Sequence, residues 1–91
     1  MQHLKIIIEG RVQGVSFRFY TQKTAKQLNI TGTIRNHSDG YVEIQATGEQ
    51  QNMQAFVQWC HQGPSLARVK TVTVTPITDT SPLHTHFIII N

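Results

Sequence analysis

The sequence predicts an α+β sandwich in which two helices cover one face of a mostly antiparallel sheet. Five short segments alternate in the period-two pattern of strands, two longer ones carry apolar residues at helical spacing, and turn residues separate them. Their order is βαββαβ plus a C-terminal strand. A chain of 91 residues with 38% apolar content can bury one core, so we expect residues 1–91 to form one domain.

The first half of the chain contains two strands and a helix. Residues 4–8 alternate in β-favouring types, and Gly10 is expected to end this first strand. A helix from about Ser16 to Leu28 is indicated by one stripe of its helical wheel, which holds Phe17, Tyr20, Thr21, Ala25 and Leu28. Asn29 can adopt the left-handed conformation that closes a helix. Gly32 to Asn36 is the predicted second strand.

The second half begins with a hairpin. Ser38-Asp39-Gly40 provides the turn into a third strand over residues 42–46. A second helix from about Glu49 to Gln62 follows from the apolar spacing i, i+3, i+4, i+7 of Met53, Phe56, Val57 and Cys60. Residues 71–75 form the fourth strand, which Pro76 ends, and residues 87–90 add a fifth.

This order favours the ferredoxin-like arrangement. If the third strand lies between the first two and is antiparallel to both, those two run in the same direction. Their C-terminal ends then share one edge of the sheet. We therefore expect Arg18 and Asn36 to lie together at that edge.

The segment from Gly10 to Ser16 has the form of a phosphate-binding loop. A glycine-flanked loop that leads from a strand into a helix presents successive backbone N–H groups and a helix N-terminus, and both attract phosphate. It lacks the G-x-G-x-x-G and G-K-[ST] patterns of nucleotide-binding loops, which favours a small phosphate. Arg18 can add a forked pair of charge-assisted hydrogen bonds.

Two motifs resemble the signatures of the acylphosphatase family. Gly10-x-Val12-Gln13-Gly14-Val15-x-Phe17-Arg18 is similar to the first signature, and Gly32-x-Ile34-Arg35-Asn36, followed by Gly40, Val42 and Gly48, is similar to the second. The second departs at Thr33, where the family usually carries an aromatic residue. The resemblance spans essentially the whole chain.

The resemblance implies metal-independent hydrolysis of small acyl phosphates to a carboxylate and inorganic phosphate, without a cofactor. It assigns the phosphate to Arg18 and the loop amides, and the attacking water to Asn36. The phosphate-binding residues would be Gln13, Gly14, Val15, Ser16, Phe17 and Arg18. From its chemistry alone, an asparagine amide can orient water as an acceptor and donor but cannot act as a general base.

Two other classes of function remain open from the sequence. One is a non-catalytic ferredoxin-like module that binds a small anionic metabolite. The other is an RNA-binding sheet, although the central strands offer only Tyr41 for base stacking. His84 and His86 could hold a metal but lack a third ligand at suitable spacing, and His37 is expected to be a turn residue. Cys60 belongs to the apolar stripe of the second helix, which favours core packing over nucleophilic catalysis.

Net charge, apolar runs and cysteine content indicate the kind of ligand and the cellular compartment. Eight Lys and Arg against five Asp and Glu give a formal charge of +3 without a dense basic run, so we expect a small anionic ligand and no nucleic acid. Apolar runs of strand length predict no membrane span. The single Cys60 and the absence of a secretory hydrophobic region favour the cytoplasm, and the lack of heptads favours a monomer.

Overall fold

A computed structural model describes residues 1–78 and 84–90. The elements in chain order are β1 (Gln2–Arg11), α1 (Phe17–Gln27), β2 (Thr31–Asn36), β3 (Val42–Gly48), α2 (Gln50–Gln62), β4 (Arg68–Pro76) and β5 (Phe87–Ile89). The predicted order and fold class are confirmed. Within these described ranges, neither helix is long and apolar enough to cross a membrane.

The five strands form one sheet in the order β4-β1-β3-β2-β5. β3 pairs antiparallel with both β1 and β2, as predicted, and β4 is antiparallel to β1. β5 runs parallel to β2, with Ile89 opposite Ile34. The C-terminal ends of β1, β2 and β5 therefore lie at one edge of the sheet.

The core lies between the sheet and the two helices. The alternation of β1, β2 and β3 directs apolar side chains to one face of the sheet, where Ile6, Ile8, Ile34, Ile44 and Ala46 are fully buried. The helices cover this face with Phe17, Thr21 and Ala25 from α1 and Met53, Phe56 and Cys60 from α2. Tyr20 was expected in the stripe of α1 but is exposed, at its margin, where its ring packs edge-on against Phe19.

The structure corrects the end of the first strand. β1 does not stop at Gly10 but continues to Arg11 through a bulge between Glu9 and Gly10, and it stays paired with β4. Gly10 has φ 130°, and a Cβ there would overlap the backbone oxygen of Arg68 and lie 2.7 Å from the nitrogen of Lys70. Gly10 thus permits β1 and β4 to approach closely. Because β1 extends to Arg11, its pairing with β4 extends as well, and β4 begins at Arg68.

The end of α1 confirms the expected closure. Asn29 has φ 56°, and the N–H of Ile30 donates to the carbonyl of Ala25 at 2.8 Å. Ile30 is buried after this reversal. The chain therefore turns directly from α1 into β2, which fixes how the two elements that flank the candidate site sit relative to each other.

Candidate active site

A cavity of about 420 Å³ lies between the first turn of α1 and the edge where β2 and β5 end. Its lining includes Gly14, Ser16, Phe17 and Arg18 from the predicted phosphate loop, together with Asn36. The structure thus brings Arg18 and Asn36 to one cavity, as the predicted topology required. Gln13 and Val15, the other two residues of the predicted set, do not line it.

The backbone of the loop has the shape of an anion cradle. Gly14 has φ 74° and Ser16 has φ 60°, so left-handed residues alternate with others along the loop. Such alternation turns successive N–H groups toward one side, which makes a concave site for an anion. Ser16 is a non-glycine residue in this region, and backbone strain of this kind clusters at functional sites.

The N-terminus of α1 opens at the same place. Ser16 is its N-cap residue but makes no side-chain capping hydrogen bond, and the first turn carries no acidic residue. The unsatisfied N–H groups and the positive end of the helix dipole therefore favour an anion here. Arg18 lies half-buried in this first turn and lines the cavity.

Apolar side chains hold the loop in place from the core side. The side chains of Val12, Val15 and Phe17 are all buried. The Phe17 ring packs against Trp59 of α2 with centroids 5.7 Å apart. These three buried side chains anchor the loop, whereas Gly14 and Ser16 between them are exposed.

The side chain of Gln13 connects the loop to the β2–β3 hairpin. Its amide nitrogen donates to the carbonyl of His37 at 2.7 Å and to the carbonyl of Tyr41 at 3.0 Å. Those two residues close the hairpin that follows Asn36, since the N–H of His37 also donates to Tyr41 at 2.8 Å. Sequence reasoning considered only the backbone amide of Gln13 and missed this contact.

Asn36 ends β2 opposite Val42. Its Oδ1 atom is buried and has no hydrogen-bond partner within residues 1–78 and 84–90. A buried acceptor without a partner is costly, and Asn36 lines the cavity, so this side chain is a signal of function.

The structure gives the surroundings of the three histidines considered in the sequence, His37, His84 and His86. His37 begins the hairpin turn, as predicted, since its carbonyl accepts from the N–H of Gly40 at 2.9 Å, but it is half-buried and not exposed. Its ring stacks on Tyr41 at 4.3 Å and its Nδ1 accepts from the N–H of Asp39 at 3.1 Å. His84 and His86 are exposed. The part of the chain that the structure describes contains no group of three His, Cys, Asp or Glu side chains that could hold a metal.

Cys60 packs in the core, as the apolar stripe of α2 predicts. Burial raises the pKa of its thiol to about 12, because the thiolate would lose its hydration. The thiol is therefore protonated at neutral pH and is not a nucleophile there.

The comparisons with known proteins agree with the geometry. The acylphosphatase family model matches residues 4–89. The chain belongs to the acylphosphatase family. This confirms the resemblance read from the two motifs, and with it the predicted class of enzyme.

Relatives named acylphosphatase occur in several bacteria. One from a Nocardioides species is 46% identical over 74 residues, covering 81% of this chain and 75% of the relative. One from Oceanobacillus iheyensis is 40% identical over 84 residues, covering 91% and 92%. The crystal structure of acylphosphatase from Bacillus subtilis superposes with a TM-score of 0.93 at 35% identity, covering 100% of both chains.

The structure also adds residues that sequence reasoning did not place at the site. Phe19 and Ile89 line the cavity beside the predicted set. Phe19 follows Arg18 in the first turn of α1, so its position directly after the motif was a usable signal. Ile89 reaches the site because β5 runs parallel to β2, and this required the order of the strands.

Proposed function

We propose that this chain hydrolyses the carboxyl-phosphate bond of small acyl phosphates, yielding a carboxylate and inorganic phosphate without a metal or cofactor. Membership of the acylphosphatase family supports the reaction class. The observation that carries the proposed mechanism is the meeting of Arg18, the N-terminus of α1 and Asn36 in one cavity.

The phosphate is held by the loop and by Arg18. The backbone amides of residues 13–17 donate to its oxygens, supported by the left-handed residues Gly14 and Ser16. Arg18 adds a planar fork that matches two phosphate oxygens and fixes their orientation. Phosphoryl transfer depends largely on such positioning and on stabilising charge at the equatorial oxygens.

The attacking water is positioned by Asn36. Its unpartnered Oδ1 supplies an acceptor for a water proton, and the amide nitrogen can donate to the phosphate. Because Oδ1 is buried, a rotation about χ2, a soft torsion, would bring it to the cavity. The chain thereby orients the nucleophile without deprotonating it.

Neither a general base nor a general acid is needed. Water oxygen forms the new bond to phosphorus, the bond from phosphorus to the bridging oxygen breaks, and the acyl group leaves as a carboxylate. The conjugate acid of that carboxylate has a pKa of about 4, so it departs without a proton. The water's protons pass to the phosphate itself, so that the atoms and charges balance.

We also propose that the chain acts as a cytoplasmic monomer formed by one domain over residues 1–91. Its free, buried Cys60 fits a reducing compartment. Light scattering at assay concentration tests the oligomeric state, with a mass near 10.3 kDa expected.

Hydrolysis of benzoyl phosphate in excess chelator tests the proposal. Wild type should turn over, and Arg18→Ala and Asn36→Ala should lose nearly all activity. Arg35→Ala is the matched control for charge, because Arg35 pairs with Glu43 at 3.4 Å and does not line the cavity. Asn52→Ala on α2 is the control for loss of an amide.

The outcomes separate the proposal from its rival. If Arg18→Lys kept full activity, the forked contact would be wrong, since lysine presents a point charge. If wild type bound inorganic phosphate but hydrolysed no acyl phosphate, the chain would be a non-catalytic module that binds a small anion. If a titration with inorganic phosphate detected no binding, the proposal that the loop and Arg18 bind phosphate would be wrong.

A further inference from the structure

The cavity has an apolar wall, formed by Phe19 and Ile89, that the phosphate chemistry does not use. Phe19 is 58% exposed and Ile89 is half-buried. Both line the same cavity as Arg18 and Asn36. Val12 and Phe17 also line it but are buried, so Phe19 and Ile89 are the apolar side chains there that a bound group can cover.

The fold places these two side chains beside the cradle from different directions. Phe19 belongs to the first turn of α1, one residue after Arg18. Ile89 is opposite Ile34 in the parallel pairing of β2 with β5, at the edge where Asn36 ends β2. Along β5 the side chains alternate, so that Ile89 shares the core-side face with Phe87 and Ile88 lies on the other face.

The Phe19 ring contacts the neighbouring Tyr20 ring. It meets the Tyr20 ring edge-on, with centroids 5.2 Å apart and planes at 83°. A large aromatic side chain left in water gains from an apolar partner, and aromatic rings prefer edge-to-face or offset contact. The wall therefore suits a flat or branched apolar group.

A substrate that occupies the cradle must present its acyl group to the remaining wall of the cavity. We propose that Phe19 and Ile89 bind the acyl group, and that the enzyme prefers aromatic and branched aliphatic acyl phosphates over acetyl phosphate. This selectivity rests on the proposed hydrolytic function. It assigns the phosphate half of the substrate to the loop and the apolar half to the wall.

The test compares kcat/KM for benzoyl, isobutyryl and acetyl phosphate in each variant. Isobutyric and acetic acids have nearly equal acidities. The ratio of kcat/KM for isobutyryl and acetyl phosphate therefore reports binding in the cavity and not the quality of the leaving group. Burying a few extra carbon atoms in an apolar site is worth about tenfold in selectivity. We expect wild type to favour benzoyl and isobutyryl over acetyl phosphate by about that factor.

Phe19→Ala should reduce both preferences about five- to tenfold, and Ile89→Ala should reduce them less. Ile88→Ala is the matched control, because Ile88 is exposed on the opposite face of β5. Phe19→Lys should raise kcat/KM for succinyl phosphate relative to isobutyryl phosphate. A loss of stability would lower activity on both substrates alike, so it could not produce this change in their ratio.

The outcomes are distinguishable. If wild type hydrolyses none of the acyl phosphates, the hydrolytic function is wrong. If it hydrolyses them all and Phe19→Ala and Phe19→Lys leave the ratios unchanged, the hydrolytic function stands and the acyl site is wrong. An equal loss on every substrate would assign Phe19 to the cradle and would also overturn the acyl site.

Discussion

Replacing Gln13 by methionine tests how the cradle and Asn36 are held together. Gln13 donates two hydrogen bonds, of 2.7 and 3.0 Å, to the carbonyls of His37 and Tyr41. Methionine preserves the length of the side chain but cannot donate. Each such bond contributes about 1 kcal/mol, so Gln13→Met should lower the free energy of unfolding by about 2 kcal/mol. For a domain of this size, that lowers Tm by roughly 8–16 °C.

Gln22→Met is the matched control. The Gln22 side chain donates one hydrogen bond of 2.9 Å, and its acceptor is the carbonyl of Phe87 in β5. Its loss should cost about 1 kcal/mol of stability and leave activity within about twofold.

The activity separates a positioning role from a merely structural one. Displacing reacting groups by about 1 Å costs on the order of 100-fold in rate. At temperatures below the melting range of the variant, kcat of Gln13→Met should therefore be about 10- to 100-fold lower than that of wild type. Thermal denaturation and benzoyl phosphate hydrolysis at 15 °C measure the two effects. If both glutamine variants kept wild-type kcat, Gln13 would not position the site.

Four other substitutions test the fold and the site. Gly10→Ala should lose about 2–3 kcal/mol of stability in urea denaturation, whereas Gly40→Ala should lose only about 1, because a Cβ at Gly40 meets no atom within 4 Å and carries only the cost of its φ of 96°. Equal losses would contradict the close approach of β1 and β4. Because the pKa of Cys60 is raised from 9.0 to about 12, the unfolded chain loses this proton first as pH rises. Stability should fall between pH 9 and 12 by up to about 1.4 kcal/mol per unit, and Cys60→Ala should lack this component; identical pH profiles would refute it. Asn36→Asp should reduce kcat on the order of 100-fold and weaken inhibition by phosphate, because like charges repel; unchanged inhibition would place Asn36 away from the phosphate.

The parts of the site that the sequence predicted are local or follow from strand order. The glycine-flanked loop and the start of α1 could be predicted because both lie within the nine residues from Gly10 to Arg18. The approach of Arg18 to Asn36 follows from placing β3 between β1 and β2, which the observed pairing confirms. The alternation of apolar residues was enough to make that prediction.

The rest depends on contacts between distant segments. Gly10 was expected to end a strand, because nothing near it in sequence indicates the approach of β4. The Gln13 side chain reaches carbonyls 24 and 28 residues away, and a glutamine in a loop is usually solvated. Ile89 joins the site through the parallel pairing of β5 with β2, which local pattern does not specify.

Hydrolysis in water enriched in oxygen-18 tests the central claim most directly. If the cradle holds the phosphate while Asn36 directs water at phosphorus, a single turnover must place the label in inorganic phosphate and none in the carboxylate. The residual activity of Asn36→Ala should keep this pattern at a much lower rate. Label in the carboxylate would mean attack at the carbonyl carbon and would contradict the account.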